Sequence, residues 1–285
     1  MHPLENKSTV IHLQKKKKKG EKISAITAYD FPTAKVASDA GIDLILVGDS
    51  LGMVLQGHNH TLKTTLEEMI YHTRMVTSAE PASLVVTDMP FGSYHISVEQ
   101  AVENAVRCVR EGGAQAVKLE GGKKRFKTIE AIINAEIPVL GHLGLTPQSI
   151  HRLGGFKIQG KKETSAHEIL EEAVQLEKQG VFAIVLESIP PELAQRITAR
   201  LTIPTIGIGA GKFCDGQILV FHDLVGFTHL YLPKFVRKYA DVYTTIRQAI
   251  GNYIKDIQTG DFPGEKESYH LKKQVNNQKT KNENL

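Results

Sequence analysis

Carboxylates, a lysine and a histidine stand at the ends of apolar runs in this chain, and that placement points to chemistry. The run 44–47 leads into Asp49 and Ser50, and later runs end in Asp88, in Lys118 with Glu120, in His142 and in Glu187. Two carboxylates brought together from neighbouring strands repel each other unless a cation joins them, and oxygen-only ligands favour a hard ion such as Mg2+. Asp49 and Asp88 form the candidate pair, with Glu120 as a third carboxylate acting directly or through water. The competing reading makes each aspartate a helix N-cap or a loop hydrogen-bonding group. Lys118 alternates inward with Glu120 on one strand, so it anchors an anionic substrate, pairs with Glu120, or does both. Glu187 closes the purely apolar run 182–186, where desolvation would raise a carboxylate towards the range of a general base. A strand-end glutamate bonded to loop amides is its plain alternative. His142, between Gly141 and Leu143, polarises a substrate oxygen or serves a structural role.

The stretch Gly207-Ile208-Gly209-Ala210-Gly211-Lys212 invites comparison with nucleotide loops and fails both templates. Its glycines are one residue too close for a P-loop, with Phe213 where Ser or Thr belongs, and Lys212 stands where the last Rossmann glycine belongs. It reads instead as backbone that lets a ligand approach closely.

One functional residue per strand end requires strands that share an open face. The candidates are residues 23–28, 44–47, 84–87, 116–119, 138–141, 182–186, 204–208 and 217–220. Most are apolar throughout with little alternation, as strands buried on both faces of a parallel sheet are. Between them, Thr64 with Glu67, Ser97 with Gln100 and Ser165 with Glu168 have the spacing of a capping box. Val98, Ala101, Val102, Ala105, Val106 and Val109 then fall on one helical face. Gly41, Gly112 and Gly180 are expected to end helices in the left-handed conformation, and Pro138 and Pro204 to open strands. Eight strands with intervening helices give a (β/α)8 TIM barrel, for which about 250 residues suffice. Residues 1–22 are then an N-terminal helical extension and 23–270 the barrel with a C-terminal helix over 239–258, whose stripe is Val242, Ile246, Ile250, Tyr253 and Ile254. Residues 271–285 lack apolar content and are expected to be disordered.

Composition narrows the function classes. With 285 residues, 41% of them hydrophobic, and a net charge of +4, the chain is globular and only mildly basic. The start is polar and lysine-rich without an apolar leader segment, and no run approaches the roughly 18 apolar residues of a membrane span, so a soluble cytoplasmic protein without a membrane partner is expected. Cys108 and Cys214 have no metal-type spacing, and Cys108 reads as a small buried hydrophobe. The run 15–19 is all lysine, without aromatic or arginine interleaving; it reads as a solvated helix edge, and no nucleic-acid partner is expected.

Together these motifs resemble the ketopantoate hydroxymethyltransferase family. The resemblance lies in Thr27-Ala28-Tyr29-Asp30, the Asp49 segment 47–53, Gln56-Gly57-His58, Asp88-Met89-Pro90-Phe91, the Lys118 and Glu120 segment 117–122, the His142 segment 141–149, 207–211 and Asp215-Gly216-Gln217, in family order over about residues 9–269. It departs at Asn59-His60 and at Ser188, where Cys is common in the family. The resemblance implies a barrel of the phosphoenolpyruvate/pyruvate type, assembled as a homo-oligomer and decameric in its bacterial members. It implies transfer of a hydroxymethyl group from 5,10-methylenetetrahydrofolate to 3-methyl-2-oxobutanoate in pantothenate and coenzyme A synthesis. By the same resemblance Asp49, Asp88 and Glu120 are the Mg2+ residues, Asp49, Ser50, Asp88 and Lys118 contact the keto acid, and Glu187 accepts the proton; His142 joins the substrate-binding candidates from its own strand-end reading. The rival class is a lyase of the isocitrate-lyase and phosphoenolpyruvate-mutase type, which needs a cysteine at the barrel mouth; only Cys214 is available for that role.

Overall fold

A computed structural model describes residues 7–228 and 232–271. Its eight strands are β1 (Ile23–Thr27), β2 (Leu44–Val47), β3 (Leu84–Asp88), β4 (Ala116–Glu120), β5 (Val139–Gly144), β6 (Ala183–Glu187), β7 (Thr205–Ile208) and β8 (Gly216–Leu219). They close into a barrel in chain order, every neighbour parallel, as the apolar runs predict. The helices are α1 (Val10–Lys19), α2 (Phe31–Asp39), α3 (Leu51–Val54), α4 (Leu66–Thr77), α5 (Val98–Arg110) and α6 (Phe126–Asn134). They continue with α7 (Ile150–Leu153), α8 (Glu163–Gln179), α9 (Pro191–Arg200), α10 (Phe221–Leu224) and α11 (Val242–Thr259).

Register decides which polar residues meet. Asp88 on β3 lies beside Lys118 on β4, Glu120 lies beside His142 on β5, and Gly144 lies beside Glu187 on β6. β5 extends three residues beyond the expected stop at Gly141, because His142 is a buried strand residue despite its polarity.

The helix starts correct two expectations. The capping box of α4 is Thr65 with Glu68, one residue later than expected, because the Thr64 hydroxyl instead donates to the Asp49 carbonyl at 3.1 Å. α8 begins at Glu163, and Ser165 sits inside its first turn, donating to the Lys162 carbonyl at 2.8 Å. Ser97 does cap α5. Gly41 and Gly180 are left-handed as expected, with φ of 81° and 95°, but after α5 the left-handed residue is Gly113. Gly112 is needed for space, since a Cβ there would lie 2.6 Å from the Cys108 carbonyl oxygen.

The end of the barrel away from Asp88 and Glu187 is covered by α1. Leu13 is fully buried in one cluster with Ile23, Leu44, Leu84, Ala116 and Phe182. Two lysines of the run 15–19 are tied down there: Lys16 Nζ lies 2.7 Å from Asp43 and Lys17 Nζ 2.8 Å from Asp215, residues that precede β2 and β8. The run is therefore only partly the solvated edge expected of it, and half-buried ion pairs hold its middle.

The chain divides into two compact units, Met1–Ala240 and Asp241–Leu285. In the second unit, Asp241 caps α11 by accepting from the Thr244 amide, which starts the helix later than the expected residue 239. Its stripe is exposed at Ile246, Ile250, Tyr253 and Ile254. The expected disordered tail from 272 onwards, and residues 1–6 of the N-terminal extension, lie outside the described residues. Among the described residues no helix is long and apolar enough to cross a membrane.

Candidate active site

The turn after β2 begins the site. A Cβ at Gly48 would lie 2.8 Å from Ser50 Oγ, so the chain turns tightly there and points the Asp49 amide at Asp88 Oδ2, to which it donates at 3.1 Å. Asp49 is not a helix cap. Ser50 occupies the N-cap position of α3, makes no capping bond, and shares its hydroxyl with Tyr29 Oη at 2.9 Å. Both Asp49 and Asp88 are buried.

Lys118 Nζ donates to Asp88 Oδ1 and lies 3.9 Å from Glu120 Oε1, so its ion pair is with Asp88 more than with Glu120. Glu120 Oε2 accepts the Gln148 amide at 3.0 Å, and its own amide donates to Tyr94 Oη at 3.2 Å. His142 spans two carboxylates, with Nδ1 3.4 Å from Glu120 Oε1 and Nε2 3.2 Å from Glu187 Oε2. Neither contact is aligned as a full hydrogen bond, so the attraction is chiefly one of charge. Glu187 is less buried than its apolar strand suggests, with 16% of its side chain exposed where the barrel opens.

Burial and charge set the protonation states. The Asp49 carboxyl is held well above its ordinary range by burial, and further by the charges of Asp88 and Glu120. Burial also raises Asp88, against the pull of Lys118. Burial alone would favour neutral Lys118 and neutral His142, yet the surrounding carboxylates outweigh it, keeping Lys118 charged and raising His142 to about 9. For Glu120, His142 and Lys118 outweigh burial and lower the pKa. The cluster thus sets four carboxyl groups against one ammonium and one imidazolium.

That excess of carboxyl groups over cations, with Asp49 disfavoured as an anion by burial and by its acidic neighbours, and the all-oxygen donor set fit a hard divalent cation that Asp49 and Asp88 could hold, with Glu120 behind them. Among the described residues no three acidic, imidazole or thiol groups already converge as a finished coordination shell. Such an ion ordinarily takes only one or two carboxylates and completes its shell with waters and substrate oxygens.

Two residues that sequence reasoning did not single out organise the cluster. Gln148, in the turn after β5, donates from Nε2 to Asp49 Oδ2 at 2.9 Å and to the Met89 carbonyl at 3.0 Å. Its Oε1 accepts from Tyr94 Oη at 2.6 Å, which fixes the orientation of the amide. Neither residue lies on a strand end or at a telling spacing, and although Gln148 falls within the segment 141–149 that carries the resemblance, the hydrogen bonds that define both roles appear only in the fold. A cavity of about 1000 Å³ opens from Glu120 and Gln148, with Tyr94 and Leu143 in its wall.

Two expectations are revised. The glycines after β7 admit protein rather than ligand: a Cβ at Gly209 would lie 2.7 Å from the Phe235 ring, and one at Gly211 would lie 2.6 Å from Pro191. Cys214 precedes β8, at the end of the barrel opposite the site, where it is buried with its thiol pKa raised by that burial. It cannot serve a lyase at the mouth. Cys108 is a core residue, as expected.

The family model described as "Ketopantoate hydroxymethyltransferase" matches residues 7–265. The 3-methyl-2-oxobutanoate hydroxymethyltransferase of Thermoanaerobacter sp. (strain X514) is 54% identical over 273 residues, covering 96% of this chain and 100% of the relative. That of Geobacter sulfurreducens is 54% identical over 261 residues, covering 92% and 98%. Among solved structures, 2,3-dimethylmalate lyase, a PEP mutase/isocitrate lyase superfamily member, aligns with a TM-score of 0.57 at 15% identity over 94% of this chain and 92% of that one. Oxaloacetate acetylhydrolase in complex with oxalate aligns with a TM-score of 0.60 at 13% identity over 92% and 90%. At such identity the structural likeness carries the fold alone.

Proposed function

From the premise that this chain belongs to the ketopantoate hydroxymethyltransferase family, we propose that it converts 3-methyl-2-oxobutanoate, 5,10-methylenetetrahydrofolate and water to 2-dehydropantoate and tetrahydrofolate. The observation that carries this reading is the strand register, which gathers Asp49, Asp88, Lys118, Glu120, His142 and Glu187 at one barrel mouth.

Asp49 and Asp88 would hold Mg2+, with Glu120 as the carboxylate behind them. When bound, Mg2+ supplies Lewis-acid polarisation of the keto group, which acidifies the adjacent C3–H. Lys118, kept charged among carboxylates, would meet the substrate carboxylate. Ser50, steadied by Tyr29, offers a hydroxyl to the keto acid. Glu187, partly exposed at the mouth and 3.2 Å from His142, removes the C3 proton. His142, bridging Glu120 and Glu187, orients Glu187 and presents positive charge beside the developing oxyanion. The C3 electron pair then forms a bond to the folate methylene carbon, both carbon–nitrogen bonds of that carbon break as water supplies the hydroxyl oxygen, and the two carrier nitrogens take up the proton lost from C3 and one proton from water. A homo-oligomeric assembly in the cytoplasm goes with the same family reading.

The test is turnover with and without the one-carbon donor. Product is expected only when 5,10-methylenetetrahydrofolate is present, whereas keto acid cleavage without it would place the protein among the lyases.

A further inference from the structure

We propose that the cavity beside the reaction cluster is the docking site of the one-carbon carrier, with its aryl group on the shelf of Phe91 and His95 and its glutamyl carboxylates on Lys123, Lys124, Arg125 and Arg152. This rests on the reading above and deepens it, because the carrier must reach the C3 carbon from somewhere and its tail must be held.

Size is the first argument. A space of about 1000 Å³ is far larger than a small branched keto acid needs and matches the pockets of about 300–1,000 Å³ that hold drug-sized ligands. It begins at Glu120 and Gln148, which both belong to the catalytic cluster, so a ligand filling it extends from the reacting carbon outwards.

The wall chemistry is the second. Phe91 is 47% exposed, and its ring centroid lies 4.9 Å from that of His95, which in turn lies 4.1 Å from Tyr94. The rings meet at tilts of 53° and 41°, with Phe91 and His95 presented at the cavity wall and the buried Tyr94 behind them joining the wall to the cluster. His95 is kept neutral by burial and by the nearby Arg125 charge, with its pKa lowered to about 4, so it stacks as an uncharged ring. Aromatic ligands gain from such surfaces both area and ring geometry.

Charge is the third. Lys123, Lys124 and Arg125 follow one another in a single turn after β4, and Arg152 faces the same cavity from α7. The guanidinium of Arg125 lies 5.5 Å over the Tyr94 ring, next to the shelf. None of these four side chains is ion-paired among the described residues, whereas Arg107 and Arg196 each hold a glutamate. Four unpaired cations around one opening, next to an aromatic shelf, match a ligand that is aromatic along its length and dianionic at its end. Glu168 and Glu171 on α8 line the same cavity, so removing the cations leaves the tail facing like charge.

The test uses the full-length protein with Lys124→Ala, Arg125→Ala and the double variant, followed by two readouts. C3 proton exchange of 3-methyl-2-oxobutanoate in deuterated water needs no carrier and should be unchanged. The KM for 5,10-methylenetetrahydrofolate should rise about tenfold or more in the double variant, with kcat within about twofold, as loss of charge-assisted contacts to a carboxylate predicts. N-(4-aminobenzoyl)-L-glutamate should compete with the carrier on the wild type and lose potency on the double variant, while tetrahydropterin, which lacks the tail, should inhibit both equally. An unchanged KM in the double variant overturns the inference. If Arg125→Ala disturbs exchange through Tyr94, then Lys124→Ala and Arg152→Ala, neither of which touches Tyr94, decide it by the same KM criterion. Absence of any carrier dependence in the wild type would instead overturn the functional reading, so the two failures are distinguishable.

Discussion

Gly144 ties the end of β5 to the candidate base, and Gly144→Ala should separate the cost of backbone strain from the cost of moving Glu187. The residue has φ 95°, and a Cβ there would lie 2.2 Å from the Glu187 carbonyl oxygen and 2.8 Å from Ile189 Cγ2. The same oxygen accepts the Leu145 amide at 2.9 Å. Ordinary contact begins near 3.4 Å, so β5 and β6 must part by roughly 1 Å at the pair Gly144 and Glu187. Gly155, with φ 111° and nothing within 4 Å of where a Cβ would stand, gives a matched control that carries the strain without the collision. A non-glycine residue in this conformation costs about 1–2 kcal/mol, so Gly155→Ala should lose about that much stability and keep its chemistry. Gly144→Ala should lose about 1–3 kcal/mol more through the overpacking. Because a displacement of about 1 Å in a catalytic group costs on the order of 10²-fold in rate, C3 proton exchange should fall about that far. The assay is deuterium incorporation into 3-methyl-2-oxobutanoate by NMR, with denaturant unfolding of both variants alongside. Exchange in Gly144→Ala within about threefold of that in Gly155→Ala would refute the positioning argument.

Two further outcomes follow from the electrostatics of the cluster. Asp88→Asn, which keeps the side-chain shape, should raise the Mg2+ concentration needed for half-maximal exchange about tenfold or more, and an unmoved Mg2+ titration would remove Asp88 from the set that holds the ion. In EDTA-treated protein, His142 has a folded pKa of about 9 against an ordinary value of 6.5, so its stabilising contribution is complete below about pH 6.5 and lost as pH rises through about 9. The shift corresponds to roughly 3 kcal/mol, visible as a falling urea midpoint across that window that His142→Gln abolishes, and a parallel decline in both proteins would count against it.

The barrel is readable because its strands are apolar on both faces. Residues 44–47 are buried without exception, and the expected and observed strand agree there to the residue. Where a strand carries functional side chains the signal weakens: the apolar pattern of β5 stops at Gly141 because buried His142 looks like a loop residue by type. Asp49, Asp88, Lys118, Glu120, His142 and Glu187 are visible as polar residues closing apolar runs, and the register brings them together. Gln148 and Tyr94 are not, because their role comes from hydrogen bonds between residues 54 positions apart. The lysine run hides its role for the same reason: Asp43 and Asp215, which hold Lys16 and Lys17, are remote in sequence. Thr64 shows how a tertiary bond displaces a local one, since its hydroxyl serves the Asp49 carbonyl and leaves the cap to Thr65.

The proposed role of Glu187, held beside protonated His142, is to take the C3 proton of the keto acid. Its most direct test is exchange of that proton with deuterated water by the Mg2+-loaded protein without folate, comparing wild type with Glu187→Gln. Exchange is expected in the wild type, with a loss on the order of 10²–10⁴-fold in the variant and keto acid binding largely intact. Exchange in Glu187→Gln at the wild-type rate would contradict it.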